Sequence, residues 1–110
     1  MKLGILKNIL QENAINTIVV HIPAYIQPLT VLSAEFDTRT RSAMFLKVSE
    51  KKPPRTNNYN MMRSYMLDFK DTHTVYIENL DKSNTTYLAE TTFEIDKTSK
   101  VLHLHAGNPM

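Results

Sequence analysis

Residues 86–105 read TYLAETTFEIDKTSKVLHLH, and this stretch decides the fold. In its first half, polar residues alternate with side chains that would share one face of a strand: Tyr87, Ala89, Thr91, Phe93 and Ile95. A period of two residues is typical of a β-strand with one buried face. The polar turn KTSK follows at 97–100, and VLHLH at 101–105 alternates again. Two alternating runs joined by a short turn predict an antiparallel hairpin.

Outward from this hairpin, the same alternation recurs at residues 17–22, 31–36, 43–49 and 75–80. Residues 59–69 fit a strand or a helix, and the polar turn that follows them favours a strand. Residues 2–12 instead carry apolar side chains at helical spacing. The chain is therefore predicted to be mainly β. We expect a single antiparallel sheet of about seven strands, a meander or barrel-like, with one short N-terminal helix packed on it.

Composition excludes several classes of protein. A chain of 110 residues is predicted to form a single domain, 1–110. Cysteine is absent, which removes disulfides, thiolate metal sites and a cysteine nucleophile. The two glycines, Gly4 and Gly107, cannot build a Walker or dinucleotide loop. No run approaches the ~20 apolar residues of a membrane span, so we expect a cytoplasmic protein that has no membrane partner and no cofactor.

Charge is distributed unevenly along the chain. All four arginines fall within residues 39–63, together with three lysines and one glutamate, so this basic window carries +6. The residues before it carry −1 and those after it −3, which gives the net charge of +2. Arginine clustering suits phosphate or carboxylate recognition, because the guanidinium group can pair with two oxygens at once.

The basic window predicts a binding surface for nucleic acid or another phosphorylated ligand. If 43–49 and 59–69 were neighbouring strands, its cations and tyrosines would converge on one end of the sheet. Cations track phosphates and aromatic rings stack on bases in proteins that bind single-stranded nucleic acid. The competing interpretation is a solvated hairpin tip that protects a sheet edge. The candidate site comprises Arg39, Arg41, Lys47, Lys51, Lys52, Arg55, Tyr59, Arg63 and Tyr65.

An assembly role is the main alternative. The chain could form a homo-oligomer through exposed strand edges, with the basic tip of one copy against the acidic flank of another. A binding or assembly protein is favoured over an enzyme, and no catalytic residue is predicted. The acid-x-Lys fragment Asp68-Phe69-Lys70 lacks the upstream acid that metal-dependent nucleases add to it.

His103 and His105 are two residues apart and should share one strand face. Leu102 and Leu104 should then point inward and leave both imidazoles facing solvent. A metal site would need a third ligand, for which His21, His73 or a carboxylate such as Glu90 is available. We predict no metal site. A small metal-dependent hydrolase that uses His103 and His105 is the third functional hypothesis.

Overall fold

Strands dominate the computed structural model, which describes residues 1–37, 42–50, 69–81 and 85–110. Within these ranges one helix precedes six strands. The elements are α1 (Leu3–Glu12), β1 (Thr17–His21), β2 (Leu29–Phe36), β3 (Ala43–Ser49), β4 (Thr74–Asn79), β5 (Thr85–Asp96) and β6 (Val101–Pro109). The predicted mainly β fold with one N-terminal helix is confirmed. The strand predicted at 59–69 lies outside the described residues except for Phe69.

The described strands close into a barrel in sequence order, with β6 beside β1. Four of the six pairings between them are antiparallel, as the short turns predicted. The other two, β1 with β6 and β3 with β4, are parallel and were not anticipated. A parallel pair needs a connection of a dozen or more residues, and β3 and β4 are separated in the sequence by residues 50–73. Both edges of β3 are therefore occupied, by β2 and β4, and not by the strand that the sequence suggested at 59–69.

Alternation along the strands separates the core from the outer surface. On β6, for example, Leu102, Leu104 and Ala106 are buried, whereas the intervening residues are half-buried or exposed. Helix α1 contributes Leu3, Leu6, Ile9 and Leu10 to the same apolar core, on the face that its periodicity predicted. Burial of each such side chain contributes about 1.5–3 kcal/mol, so a helix too short to be stable alone is held by docking.

The start of α1 is fastened to the segment before β4. Lys2 provides no side-chain cap, but the first helical N–H groups find backbone acceptors. Leu3 donates to the carbonyl of His73 at 2.7 Å and Gly4 donates to that of Asp71 at 3.0 Å. A Cβ atom at position 4 would lie only 2.8 Å from Cβ of Asp71, so this approach requires glycine. No helix in the described part of the chain is long and apolar enough to cross a membrane.

Truncation of a core side chain should test the inward face. Leu104→Ala is expected to lower the free energy of unfolding by about 2–5 kcal/mol, because it leaves a cavity in the barrel. The matched control is Ile26→Ala, since the Ile26 side chain is 98% exposed and its loss should cost less than about 0.5 kcal/mol. Denaturant unfolding measures both values. Equal losses in the two variants would contradict the assignment of Leu104 to the core.

Candidate functional site

Strand β3 is the part of the basic window that the structure describes most fully. Its buried residues Met44, Leu46 and Val48 point into the barrel. The alternate residues Phe45 and Lys47 are half-buried on the outer face. Only Lys47, of the nine residues in the predicted phosphate site, lies within the described ranges. The others lie outside them: Arg39, Arg41, Lys51, Lys52, Arg55, Tyr59, Arg63 and Tyr65.

An apolar row crosses the outer face of the barrel from β3 to β5. Pairing places Phe45 opposite Tyr76 on β4, and Tyr76 opposite Leu88 on β5. The rings of Phe45 and Tyr76 are stacked, with centroids 5.5 Å apart and planes inclined by 24°. The side chain of Leu88 is 42% exposed. We call Phe45, Tyr76 and Leu88 the outer apolar row.

Sequence reasoning missed this row because it treated each strand separately. The alternation in the sequence does contain a signal for this row. It places Phe45 and Tyr76 on the face of each strand opposite the buried apolar residues. Their contact, however, depends on the parallel register of β3 with β4. That register is a property of the closed barrel and is not encoded in either strand alone.

Lys47 lies next to the outer apolar row and is paired with two acids. Its Nζ atom is 2.5 Å from Oε2 of Glu35 on β2 and 3.9 Å from Oε2 of Glu78 on β4. The hydrogen bond with Glu35 raises the pKa of Lys47 above its ordinary value, because the carboxylate stabilises the ammonium form. Two carboxylates outweigh this single cation. A phosphate group at Lys47 would have to displace or tolerate them.

The two ends of β3 lead into different parts of the basic window. Ser42, just before β3, accepts a hydrogen bond from the N–H of Thr74 at 2.9 Å, at the beginning of β4. At the far end, Ser49 donates to Asp81 at 2.7 Å, just beyond β4. Chain connectivity therefore joins Arg39 and Arg41 to one end of β3 and the basic residues from Lys51 onward to the other.

A second group of polar side chains lies on the outer face of β1, β5 and β6. As predicted, His103 and His105 share the outer face of β6 while Leu102 and Leu104 are buried. They do not simply face solvent, because His21 on β1 contacts both. Nε2 of His21 is 2.8 Å from Nδ1 of His103, and the His21 ring stacks on that of His105 with centroids 5.0 Å apart.

A carboxylate completes this group. Oε2 of Glu94, on β5, is 2.5 Å from Nε2 of His105. We call His21, Glu94, His103 and His105 the histidine cluster. Pairing between strands explains it, since the parallel register sets His21 opposite His105 and the antiparallel register sets Glu94 opposite His103. His73, another third ligand considered from the sequence, is instead buried beside Phe36 and Phe69.

Burial and neighbouring charges shift the pKa values of His21 and Glu94. Burial lowers the pKa of His21 below its ordinary value, the positive charges of His105 and His103 lower it further, and Glu94 partly offsets them. The hydrogen bond from His105 lowers the pKa of Glu94. Among the described residues, no group of three or more His, Asp or Glu side chains is arranged to hold a metal ion. In the histidine cluster the His21 ring is stacked against the rings of both His103 and His105.

Comparison of the chain with known protein families, curated proteins and solved structures found no match. The two surface features, the outer apolar row beside the basic window and the histidine cluster, are therefore interpreted from their own chemistry.

NMR titration of the imidazoles tests the electrostatics of the cluster. We expect His21 to titrate below the ordinary histidine value of about 6.5. His105→Gln should raise the pKa of His21, because a neighbouring positive charge is lost, although burial keeps it below the ordinary value. Glu94→Gln should lower it further, because an attractive charge is lost. An unchanged His21 titration in both variants would contradict the contacts described.

Proposed function

We propose that this protein is a non-enzymatic binding protein for single-stranded nucleic acid, with bases on the outer apolar row and phosphates on the arginines of the basic window. One observation carries the proposal. The stacked pair of Phe45 and Tyr76 lies on the outer face of the barrel at β3, a strand with basic residues on both sides of it in the sequence. The lack of cysteine is compatible with a reducing compartment such as the cytoplasm.

The aromatic pair supplies the part of the interaction that does not depend on charge. Both rings are half-buried, so the barrel holds them in place while part of each remains accessible. A base that stacks on such a platform contributes about 1–3 kcal/mol, whatever its identity. Leu88 extends the apolar surface by one strand and can pack against a sugar or a second base.

Phosphates must be bound mainly by residues away from the middle of the outer face of β3. Glu35 and Glu78 flank Lys47, so the middle of the surface does not attract anions. The arginines and remaining lysines of the basic window are joined to the two ends of β3. We therefore propose that bases cross the middle of β3 while the phosphate backbone is held toward its ends. A phosphorylated small molecule is a weaker fit, because it would use one end only.

Charge removal tests this arrangement. The variant with Arg39, Arg41, Arg55 and Arg63 all changed to Gln should lose binding to a labelled oligothymidylate, measured by fluorescence anisotropy at about 50 and about 200 mM salt. Any residual binding should depend less steeply on salt, since fewer counterions are released. Four lysines outside the window, Lys2, Lys70, Lys97 and Lys100, provide the matched control when changed to Gln, because both variants have net charge −2.

The lysine control distinguishes binding at the basic window from non-specific electrostatic attraction by the net charge of the protein. Equal losses in the two quadruple variants would show that only net charge matters, and would remove the basic window as the site. A parent protein that binds no oligonucleotide at low salt would refute the proposed function. Loss of self-association in the arginine variant, with no change in nucleic-acid binding, would assign the window to assembly.

Self-association is the second candidate, and the exposed Leu88 beside Tyr76 favours it. The route predicted from sequence was edge-to-edge pairing. Within the described barrel each strand has a neighbour on both sides, so pairing along a free edge has little basis there. A homo-oligomer would instead use a face, and the outer apolar row can pack against its copy across a two-fold axis.

Two variants distinguish these uses of one surface. Phe45→Leu with Tyr76→Leu keeps the surface apolar but removes the ring faces, so nucleic-acid affinity should fall by about tenfold or more. Leu88→Asp places a charge in the row and should dissociate an oligomer, as measured by sedimentation. A nucleic-acid platform predicts the larger loss of affinity for the double Leu variant. An assembly surface predicts a change of mass in Leu88→Asp and no dependence of affinity on either ring.

A further inference from the structure

We propose that the histidine cluster makes closure of the barrel sensitive to pH. It stabilises the pairing of β1 with β6 at neutral pH, and its protonation weakens this pairing on acidification. The seam, defined here as Thr17–His21 of β1 and Val101–His105 of β6, is one of two parallel pairings among the described strands. Three of the four members of the cluster lie on it, and Glu94 contacts it from β5.

The backbone alone holds β1 unequally. On its β6 side β1 has five paired residues, from Thr17 opposite Val101 to His21 opposite His105. On its β2 side the register includes two pairs, Val19 with Thr30 and Val20 with Leu29. Opening of the seam would therefore remove most of the pairing that keeps β1 in the barrel. Contacts between β1 and β6 should therefore strongly affect whether the barrel stays closed.

The His21–His103 contact requires that at least one of the facing nitrogens be unprotonated. A hydrogen bond of 2.8 Å between Nε2 and Nδ1 needs one donor and one acceptor. Protonation of both rings would turn both nitrogens into donors, which replaces the bond with repulsion between two cations. The stacked His105 ring, 5.0 Å from His21, would add a third positive charge at short range.

Charged groups on the neighbouring elements determine how far this repulsion is offset. From β5, Glu94 contacts His105, and the negative charge of Asp96 interacts with His103. On β2, the residues registered with β1 are Leu29 and Thr30, which carry no charge. Glu94 can neutralise one imidazolium, but its contact is made to His105 and not to the His21–His103 pair.

The direction of the pH effect follows from linkage. The pKa of His21 in the closed barrel is below the ordinary value, so an opened or unfolded chain takes up its proton first as pH falls. The seam is therefore most stable above about pH 6.5 and weakens progressively below it. The lowered pKa of Glu94 acts at more acidic pH, below about 4.3, where loss of its charge removes the remaining compensation.

Native-state amide exchange measures how readily the pairing of β1 with β6 opens. Protection factors, corrected for the intrinsic pH dependence of exchange, are compared at pH 7.5 and pH 5.5. We expect protection of the seam amides to fall by about tenfold or more at the lower pH. The parallel pairing of β3 with β4 has no histidine among its paired residues, although the buried His73 precedes Thr74. The amides of Leu46–Val48 and Ile77–Asn79, at the opposite end of this pairing, therefore serve as the internal control.

Two variants tie the effect to the imidazoles. His21→Gln and His103→Gln each keep a hydrogen-bonding side chain but remove one titrating ring. The pH dependence of seam protection should disappear in His21→Gln and should weaken in His103→Gln, where burial and His105 still lower the pKa of His21. Thr17→Ser, on the same strand, should retain it. If seam protection falls no more than that of β3–β4, or if the pH dependence persists undiminished in both glutamine variants, the proposal is wrong. The two variants make the outcome independent of whether one of them folds poorly.

Discussion

The parallel pairing of β1 with β6 is the contact on which the barrel depends. Without it the described strands would form an open sheet with β1 and β6 as free edges, and the outer and inner faces would lose their distinction at those edges. Closure buries Ile18 and Val20 of β1 against Leu102 and Leu104 of β6 in a common core. It also brings the outward histidines of both strands together. One pairing thus creates both the sealed interior and the histidine cluster on its exterior.

Much of the local structure could be predicted from periodicity, because burial of one face fixes the spacing of apolar residues along each helix or strand. The inward positions of Leu102 and Leu104 and the buried stripe of α1 follow from spacing alone. Contacts between segments that are distant in the sequence cannot be predicted from spacing. His21 was one of several candidate neighbours for His103 and His105, and only the parallel register selects it over His73. The carboxylate that contacts the cluster is Glu94, which the antiparallel register brings alongside β6.

The same limit applies to the proposed nucleic-acid surface. The sequence identified the basic window and Lys47, but it paired them with Tyr59 and Tyr65, which lie outside the described residues. The aromatic side chains found on the described outer face are Phe45 and Tyr76, joined by the register of β3 with β4. Lys47 is matched by two acids. At the centre of this face the described residues form an apolar row beside a lysine that two acids neutralise, an arrangement that charge counting along the chain could not reveal.

The two parallel seams have a consequence for how the protein folds. Each is flanked by three-stranded antiparallel meanders, β1–β3 and β4–β6, whose contacts are mostly between neighbouring strands in sequence. The β1–β6 seam joins Thr17 to Val101, so its formation must bring together two segments near opposite ends of the described chain. Loop-closure entropy makes such long-range pairing slow relative to hairpin formation. Barrel closure is therefore expected late in folding, after the meanders, and until then the unpaired edges of β1 and β6 are open to association with other chains.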